Sequence, residues 1–148
     1  MIYREEKDPD QDLYDRLIEL SAKWEEEGNC YGYVKNTQEE FEGKRIFTAR
    51  EEDTVIAYLF GEEYRSSRMT SMIKEGSPCF EIDEIYVLPA YRGKGIGKKL
   101  FETMESCLKD CEAITLTAVA GDAEKLLAFY TGDNGMQIYS TRLFKKTG

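Results

Sequence analysis

Residues 85–100 read Ile-Tyr-Val-Leu-Pro-Ala-Tyr-Arg-Gly-Lys-Gly-Ile-Gly-Lys-Lys-Leu. This order predicts a strand that ends at Pro89 and a glycine-rich turn that opens into an amphipathic helix. Gly93, Gly95 and Gly97 have no side chains, so backbone N–H groups can approach phosphate oxygens at the positively polarised helix N-terminus. Four cations lie here in a chain of net charge -9, namely Arg92, Lys94, Lys98 and Lys99. The stretch therefore predicts a site for an anionic, phosphate-bearing ligand.

The spacing of this turn excludes two common phosphate-binding motifs. A P-loop requires Gly-x-x-x-x-Gly-Lys-Ser/Thr, but Arg92 stands at the first of these positions and Lys99 at the last. A Rossmann turn requires Gly-x-Gly-x-x-Gly, and Lys98 stands where the third glycine should be. The run Arg-x-x-Gly-x-Gly over residues 92–97, preceded by Ile-Tyr-Val-x-Pro, resembles the acyl-coenzyme A turn of the GNAT family of N-acetyltransferases. A tight turn with solvated lysines is the alternative interpretation.

Composition limits the chemistry that the chain can perform. It has 148 residues, four cysteines without Cys-x-x-Cys spacing and no histidine, so we predict no zinc or other metal site. Without histidine, acid–base chemistry must come from carboxylates, tyrosine, lysine, cysteine or the backbone. A sequence pI near 4.7 argues against nucleic-acid and membrane partners and is compatible with a cationic one, although the charge can also serve solubility alone. With no long apolar run and no signal-peptide pattern, we expect a cytoplasmic protein.

The remaining patterns predict alternating helices and strands. Asp8, Pro9 and Gln11 read as an N-cap, a first-turn proline and a capping-box partner for a first helix that ends at Gly28. The other predicted elements are a short helical stretch at 37–42, strands at 45–50, 54–64 and 79–87, a helix at 95–109, a strand at 113–119, a helix at 122–131 and a last strand at 136–145. They predict one α+β domain over residues 1–148, with a mixed, mostly antiparallel twisted sheet flanked by helices.

Carboxylates in the strand before the turn are candidates for a catalytic base. Strict alternation places Glu81, Asp83 and Ile85 on one face of the strand, and Ile82, Glu84 and Tyr86 on the other. Burial raises the pKa of a carboxyl group, which helps it to act as a base near neutral pH. By position relative to Arg92, Glu81 and Asp83 resemble the catalytic carboxylates of different GNAT enzymes. Either one can instead form an ion pair with a basic group.

The resemblance also assigns residues to the coenzyme and to an acid. In GNAT proteins the strand before the turn bulges and splays, leaving backbone groups for the thioester and its pantetheine arm, and the turn binds the diphosphate. Mapped from Arg92, the strand groups belong to Ile85, Tyr86 and Val87, and the diphosphate contacts belong to Arg92, Gly93, Lys94, Gly95, Ile96, Gly97 and Lys98. Tyr130, in Leu-Leu-Ala-Phe-Tyr followed by Gly135-Met136, resembles the tyrosine that protonates the coenzyme sulfur. Two features differ from the family pattern. Ala123 stands where the family commonly has an asparagine, and the turn after Tyr130 is one residue longer than is usual in the family.

These resemblances imply an acetyl-CoA-dependent N-acetyltransferase. The expected acceptor is a primary amine of a small cationic molecule, aminoglycoside-like or polyamine-like, because acidic residues such as Glu25 and Glu62 lie in elements that border the family's acceptor cleft. A protein N-terminus or a lysine side chain is an alternative acceptor, and a non-catalytic acyl-CoA-binding sensor is an alternative function. The family is also compatible with a homodimer.

Overall fold

The structure is a computed structural model that describes residues 1–30, 32–67, 73–117, 123–138 and 145–146. It contains β1 (Ile2–Glu6), α1 (Gln11–Glu27), α2 (Gln38–Phe41), β2 (Arg45–Glu51), β3 (Thr54–Arg65), β4 (Pro78–Val87), a 3₁₀ turn (Pro89–Tyr91), α3 (Ile96–Cys107), β5 (Ala113–Thr115), α4 (Ala123–Leu127) and a π-helical segment (Ala128–Asp133). No helix in these ranges is long and apolar enough to cross a membrane.

The five strands form one sheet in the order β1-β2-β3-β4-β5. Neighbours from β1 to β4 are antiparallel, and β5 runs parallel to β4. The predicted α+β class and the mixed, mostly antiparallel sheet are therefore confirmed. β1 was not predicted, because its five residues include three charged side chains and give no clear apolar alternation. The predicted last strand falls mostly on residues 139–144, outside the described ranges, and residues 136–138 are not in a strand.

The predicted start of α1 is wrong by two residues. Its N-cap is Asp10 rather than Asp8, and Asp10 Oδ1 accepts a hydrogen bond from Leu13 N at 2.8 Å. Pro9 consequently precedes the helix, in the segment that connects β1 to α1. The end of the helix is as predicted, with Gly28 in the left-handed conformation at φ 63°.

Apolar side chains cover both faces of the sheet. On one face α3 packs over β2, β3 and β4, with a core that includes Phe47, Leu59, Phe80, Ile82, Leu100 and Met104. On the other face α1 and α2 pack over the same strands, with a core that includes Leu13, Leu17, Leu20, Phe41, Tyr58 and Tyr86. The sheet is thus a rigid layer on which the residues of β4 have fixed positions.

A β-bulge in β4 overturns the predicted alternation of that strand. Phe60 pairs with Glu84 and the next residue, Gly61, pairs with Ile82, so Asp83 is the extra residue. Ile82 and Ile85 consequently pack into the same core beneath α3, whereas alternation had placed them on opposite faces. Gly61 permits this bulge because a Cβ atom there would lie 2.1 Å from the carbonyl oxygen of Glu81.

Candidate active site

The predicted phosphate turn has the expected backbone shape. After β4 the chain makes the 3₁₀ turn, and then Gly93 and Gly95 adopt left-handed conformations at φ 74° and 78°. Gly95 is the N-cap of α3, and its carbonyl oxygen accepts the first backbone bond of the helix from Lys99 N at 3.0 Å. The N–H groups before Lys99 precede the first complete helical bond, so they are oriented to donate outward. This is the geometry of an anion-binding helix N-terminus.

A cavity of about 530 Å³ lies between the end of β4, the N-terminus of α3 and the π-helical segment. We call it the coenzyme cavity. Its lining includes Ile85, Tyr86, Val87, Arg92, Gly93, Gly95, Ile96, Gly97, Lys98 and Tyr130. Every predicted coenzyme residue except Lys94 thus lines it, and the Lys94 ammonium instead lies 5.6 Å from the centre of the Tyr91 ring. Within the described residues β5 pairs with β4 as far as Glu81, so the later part of β4 has no described strand on that side, and the cavity lies there.

Gly97 allows α3 to approach the π-helical segment closely. A Cβ atom at Gly97 would lie 3.2 Å from the ring of Phe129 and 3.8 Å from the Val87 side chain. The ring of Phe129 meets that of Tyr130 edge to face, with centroids 5.0 Å apart. The glycine therefore helps to bring Tyr130 to the cavity wall.

Tyr130 is buried, and burial raises the pKa of its hydroxyl to about 12. The group is accordingly protonated at neutral pH and can donate a proton. Its carbonyl oxygen accepts a hydrogen bond from Met136 N at 2.9 Å, and Asn134 Nδ2 binds the carbonyl oxygen of Phe129 at 2.8 Å. These bonds fix the end of the π-helical segment, and with it the position of the tyrosine.

Arg92 directs its guanidinium toward α1. Its two terminal nitrogens bind the Glu27 carboxylate at 2.7 and 2.9 Å, and its Nε donates to the carbonyl oxygen of Val87 at 2.8 Å. The guanidinium also lies 5.5 Å from the centre of the Tyr86 ring. Much of the charge of Arg92 is thus compensated within the protein, and Lys98 is the cation of the motif that lines the cavity without a described acidic partner.

Glu84 is a partly buried carboxylate that was not predicted as a site residue from the sequence. Its Oε2 accepts hydrogen bonds from Asn36 Nδ2 at 2.8 Å, from the Tyr58 hydroxyl at 2.9 Å and from the Tyr33 hydroxyl at 3.3 Å. All bonds described for this carboxylate within the resolved ranges reach Oε2, which leaves Oε1 for a further donor. Burial raises the pKa of Glu84, although the hydrogen bonds from Tyr58, Asn36 and Tyr33 oppose the change.

One feature of the sequence could have indicated Glu84 as a site residue, namely a carboxylate in the strand that precedes the phosphate turn. The hydrogen bonds of Glu84 could not be predicted, because its partners Tyr33, Asn36 and Tyr58 lie 51, 48 and 26 residues away along the chain. No spacing rule connects these positions.

Glu81 and Asp83 lie on exposed surface beside the bulge. Asp83 binds the ammonium of Lys44 at 2.8 Å, and the same ammonium binds Glu62 at 3.0 Å. Glu81 pairs with Glu62 on β3 and with Thr115 on β5. Like charges directly opposite on neighbouring strands repel each other. We call Glu62, Glu81 and Asp83 the acidic patch.

An aromatic stack connects the coenzyme cavity to Tyr33, one of the side chains that bind Glu84. Trp24 of α1 lines the cavity and stacks on Tyr86, with ring centroids 5.5 Å apart. Its other partner is Tyr33, at 4.2 Å, and Tyr33 in turn donates to Glu84. The coenzyme cavity and the Glu84 carboxylate are thus connected by a continuous set of side-chain contacts.

This geometry is that of an acyl-coenzyme A transferase, and the comparisons agree. The profile of the acetyltransferase (GNAT) family matches residues 5–136, so the chain belongs to this family and is an acetyl-CoA-dependent N-acetyltransferase. No curated protein matches the sequence significantly.

Solved structures share the fold at low sequence identity. A tetramutant of a Bacillus halodurans protein has a TM-score of 0.76 and 21% identity over 99% of this chain and 100% of that chain. An aminoglycoside 6'-N-acetyltransferase of Acinetobacter haemolyticus has a TM-score of 0.67 and 18% identity over 99% of both chains. Another aminoglycoside N-acetyltransferase, solved in complex with coenzyme A, has a TM-score of 0.68 and 13% identity over 99% of this chain and 100% of that chain.

Proposed function

We propose that the chain transfers the acetyl group of acetyl-CoA directly to a primary amine of a small cationic molecule. The observation that carries this proposal is the Glu84 carboxylate, whose Oε2 is held by three donors, whereas no bond to Oε1 is found among the residues that the structure describes. An ammonium that binds Oε1 lies beside β4, on the strand that also lines the coenzyme cavity. The aminoglycoside acetyltransferases of the same fold support a small-molecule acceptor.

The catalytic roles divide among three parts of the site. Glu84 takes a proton from the ammonium, and the free amine then attacks the thioester carbon. Backbone groups of Ile85, Tyr86 and Val87 bind the thioester and its arm, where an N–H group can stabilise the developing oxyanion. Tyr130 donates its proton to the departing thiolate. The C–N bond thus forms as the C–S bond breaks, and each proton has a defined donor and acceptor.

Glu81 and Asp83 stay alternative candidates for the base. Their position supports a second role, because the acidic patch is exposed next to the bulge and can attract a second positive charge on the acceptor. The acidic patch already binds one primary ammonium within the protein, because Lys44 contacts both Asp83 and Glu62. An acceptor with two or more ammonium groups satisfies Glu84 and the patch together.

Thiol release from acetyl-CoA in the presence of an amine panel tests the proposed function. The panel contains a diamine, a polyamine, an aminoglycoside, a monoamine of matched length and a lysine-containing peptide. We expect turnover with the multiply charged small amines and a higher KM for the monoamine. Turnover with the peptide alone would support a protein acceptor instead, and acetyl-CoA binding without turnover of any amine would support a sensor.

The Tyr130→Phe variant tests the assignment of the acid. Loss of a positioned proton donor is expected to lower kcat about 10²-fold, the lower end of what a general acid contributes, while the affinity for acetyl-CoA is unchanged because the ring is retained. Tyr91→Phe is the matched control, since Tyr91 lines the same cavity but its hydroxyl binds Glu51. Equal rates in the wild type and Tyr130→Phe would refute this role.

A further inference from the structure

Glu27 is a carboxylate at a position that helix electrostatics disfavour. It is the last residue of α1, follows Glu25 and Glu26, and no basic residue lies in that last turn. A helix C-terminus carries partial negative charge, so acidic side chains there cost stability. A residue that is locally unfavourable, and whose partners line a cavity, indicates a functional constraint.

Two residues compensate the negative charge of Glu27, and both of them line the coenzyme cavity. Arg92 binds it through two nitrogens at 2.7 and 2.9 Å, and the Tyr86 hydroxyl donates to it at 2.7 Å. The Glu27 side chain is only 20% exposed. Although burial alone raises it, these hydrogen bonds hold the pKa of Glu27 below its usual value, so the carboxylate stays charged.

These contacts tie together three elements that surround the cavity. Arg92 belongs to the phosphate turn, and its Nε binds Val87 O at the end of β4. The Tyr86 ring contacts both the Arg92 guanidinium and the Trp24 ring, each of which lies 5.5 Å from its centre. With Glu27 removed, Arg92 loses the partner that directs its guanidinium away from the turn, and Tyr86 loses its acceptor.

We propose that Glu27 is a positioning residue for the coenzyme, which acts through Arg92 to hold the phosphate turn and the end of β4 in the shape that binds acetyl-CoA. The inference rests on the coenzyme site of the proposed function. The direction in which acetyl-CoA affinity changes on removal of Glu27 distinguishes this role from a purely electrostatic effect. Removal of a negative charge near an anionic ligand should by itself tighten binding, whereas loss of a positioning residue should weaken it.

A double-mutant cycle on acetyl-CoA binding tests the proposal. Calorimetry without an acceptor gives the dissociation constants of the wild type, Glu27→Gln, Arg92→Gln and the double variant. Glu27→Gln is expected to weaken binding roughly five- to twentyfold, as for loss of a bidentate charged pair. The double variant is expected to bind no more weakly than Arg92→Gln alone, because Glu27 acts through Arg92. Glu26→Gln removes the same charge from an exposed neighbour and is expected to bind as the wild type does.

Kinetics separate positioning from general loss of structure. Glu27→Gln is expected to raise the KM for acetyl-CoA while kcat at saturation and the Tm remain those of the wild type. Unchanged or tighter binding by Glu27→Gln, or losses that add in the double variant, would overturn the inference and leave the proposed function intact. Failure of the wild type to bind acetyl-CoA would overturn both.

Discussion

The Glu84→Gln variant is expected to lose about 10²- to 10³-fold in kcat, the loss typical of removing a general base. Glutamine keeps the shape of the side chain and one oxygen for Tyr58 and Asn36, but it cannot take a proton from the acceptor. Binding of acetyl-CoA should be unchanged, because Glu84 does not line the coenzyme cavity. Steady-state kinetics with the best amine of the panel, together with calorimetry for acetyl-CoA, measure the two effects.

The pH dependence of this variant gives a second readout. In the wild type kcat rises as pH increases through the raised pKa of Glu84, because only the carboxylate accepts a proton, and Glu84→Gln should lack this acidic limb. The sign for stability is opposite. A carboxyl whose pKa is raised by folding contributes stability below its unfolded pKa and loses it as pH rises through the folded value. The wild type should therefore lose stability relative to Glu84→Gln between acidic and neutral pH.

Asp83→Asn and Glu81→Gln are the matched comparisons for Glu84→Gln. If these exposed carboxylates bind a second ammonium, each variant should raise the KM for a polyamine and leave kcat nearly unchanged. A large fall of kcat in either one, with Glu84→Gln at the wild-type rate, would transfer the base to that residue.

The Gly95→Val variant is expected to weaken acetyl-CoA binding roughly 5- to 150-fold, since strain of this kind is on the order of 1–3 kcal/mol and each 1.4 kcal/mol corresponds to a factor of ten. Gly95 has a φ of 78° at the start of α3, and a β-branched residue there must move the turn out of shape. Among the described residues, and apart from the adjoining backbone, no atom lies within 4 Å of a Cβ built at Gly95, so the effect comes from the backbone conformation rather than from a clash.

Gly43→Val is the control for strain alone. Gly43 has a φ of 74°, it is similarly free of neighbours, and it lies between α2 and β2, away from the coenzyme cavity. We expect both variants to lose stability in thermal unfolding but only Gly95→Val to lose affinity in calorimetry. Equal affinities in the two variants would mean that the turn does not bind the coenzyme.

The parts of the site that were predictable from sequence are local ones. The phosphate turn and the start of α3 depend on glycine conformations and helix periodicity within a short stretch, and the structure has them as predicted. Tyr130 was similarly located by a short motif, and it lines the coenzyme cavity.

The parts that were missed depend on tertiary contacts. The bulge at Asp83 arises from pairing with β3, where Gly61 tolerates the close approach of Glu81, and residue types within β4 alone do not reveal it. The bulge places Glu84, rather than another carboxylate of β4, within hydrogen-bond distance of Tyr58. Arg92 was predicted as one of four cations at the turn, but its ion pair with Glu27, 65 residues away, was not predicted.

The most direct test of this account is a crystal structure of the chain with acetyl-CoA. We predict that diphosphate oxygens accept hydrogen bonds from backbone N–H groups between Gly93 and Lys98, with the thioester beside Ile85–Val87 and the sulfur facing the Tyr130 hydroxyl. A complex in which the diphosphate lies elsewhere, with the coenzyme cavity closed by protein side chains, would contradict the account.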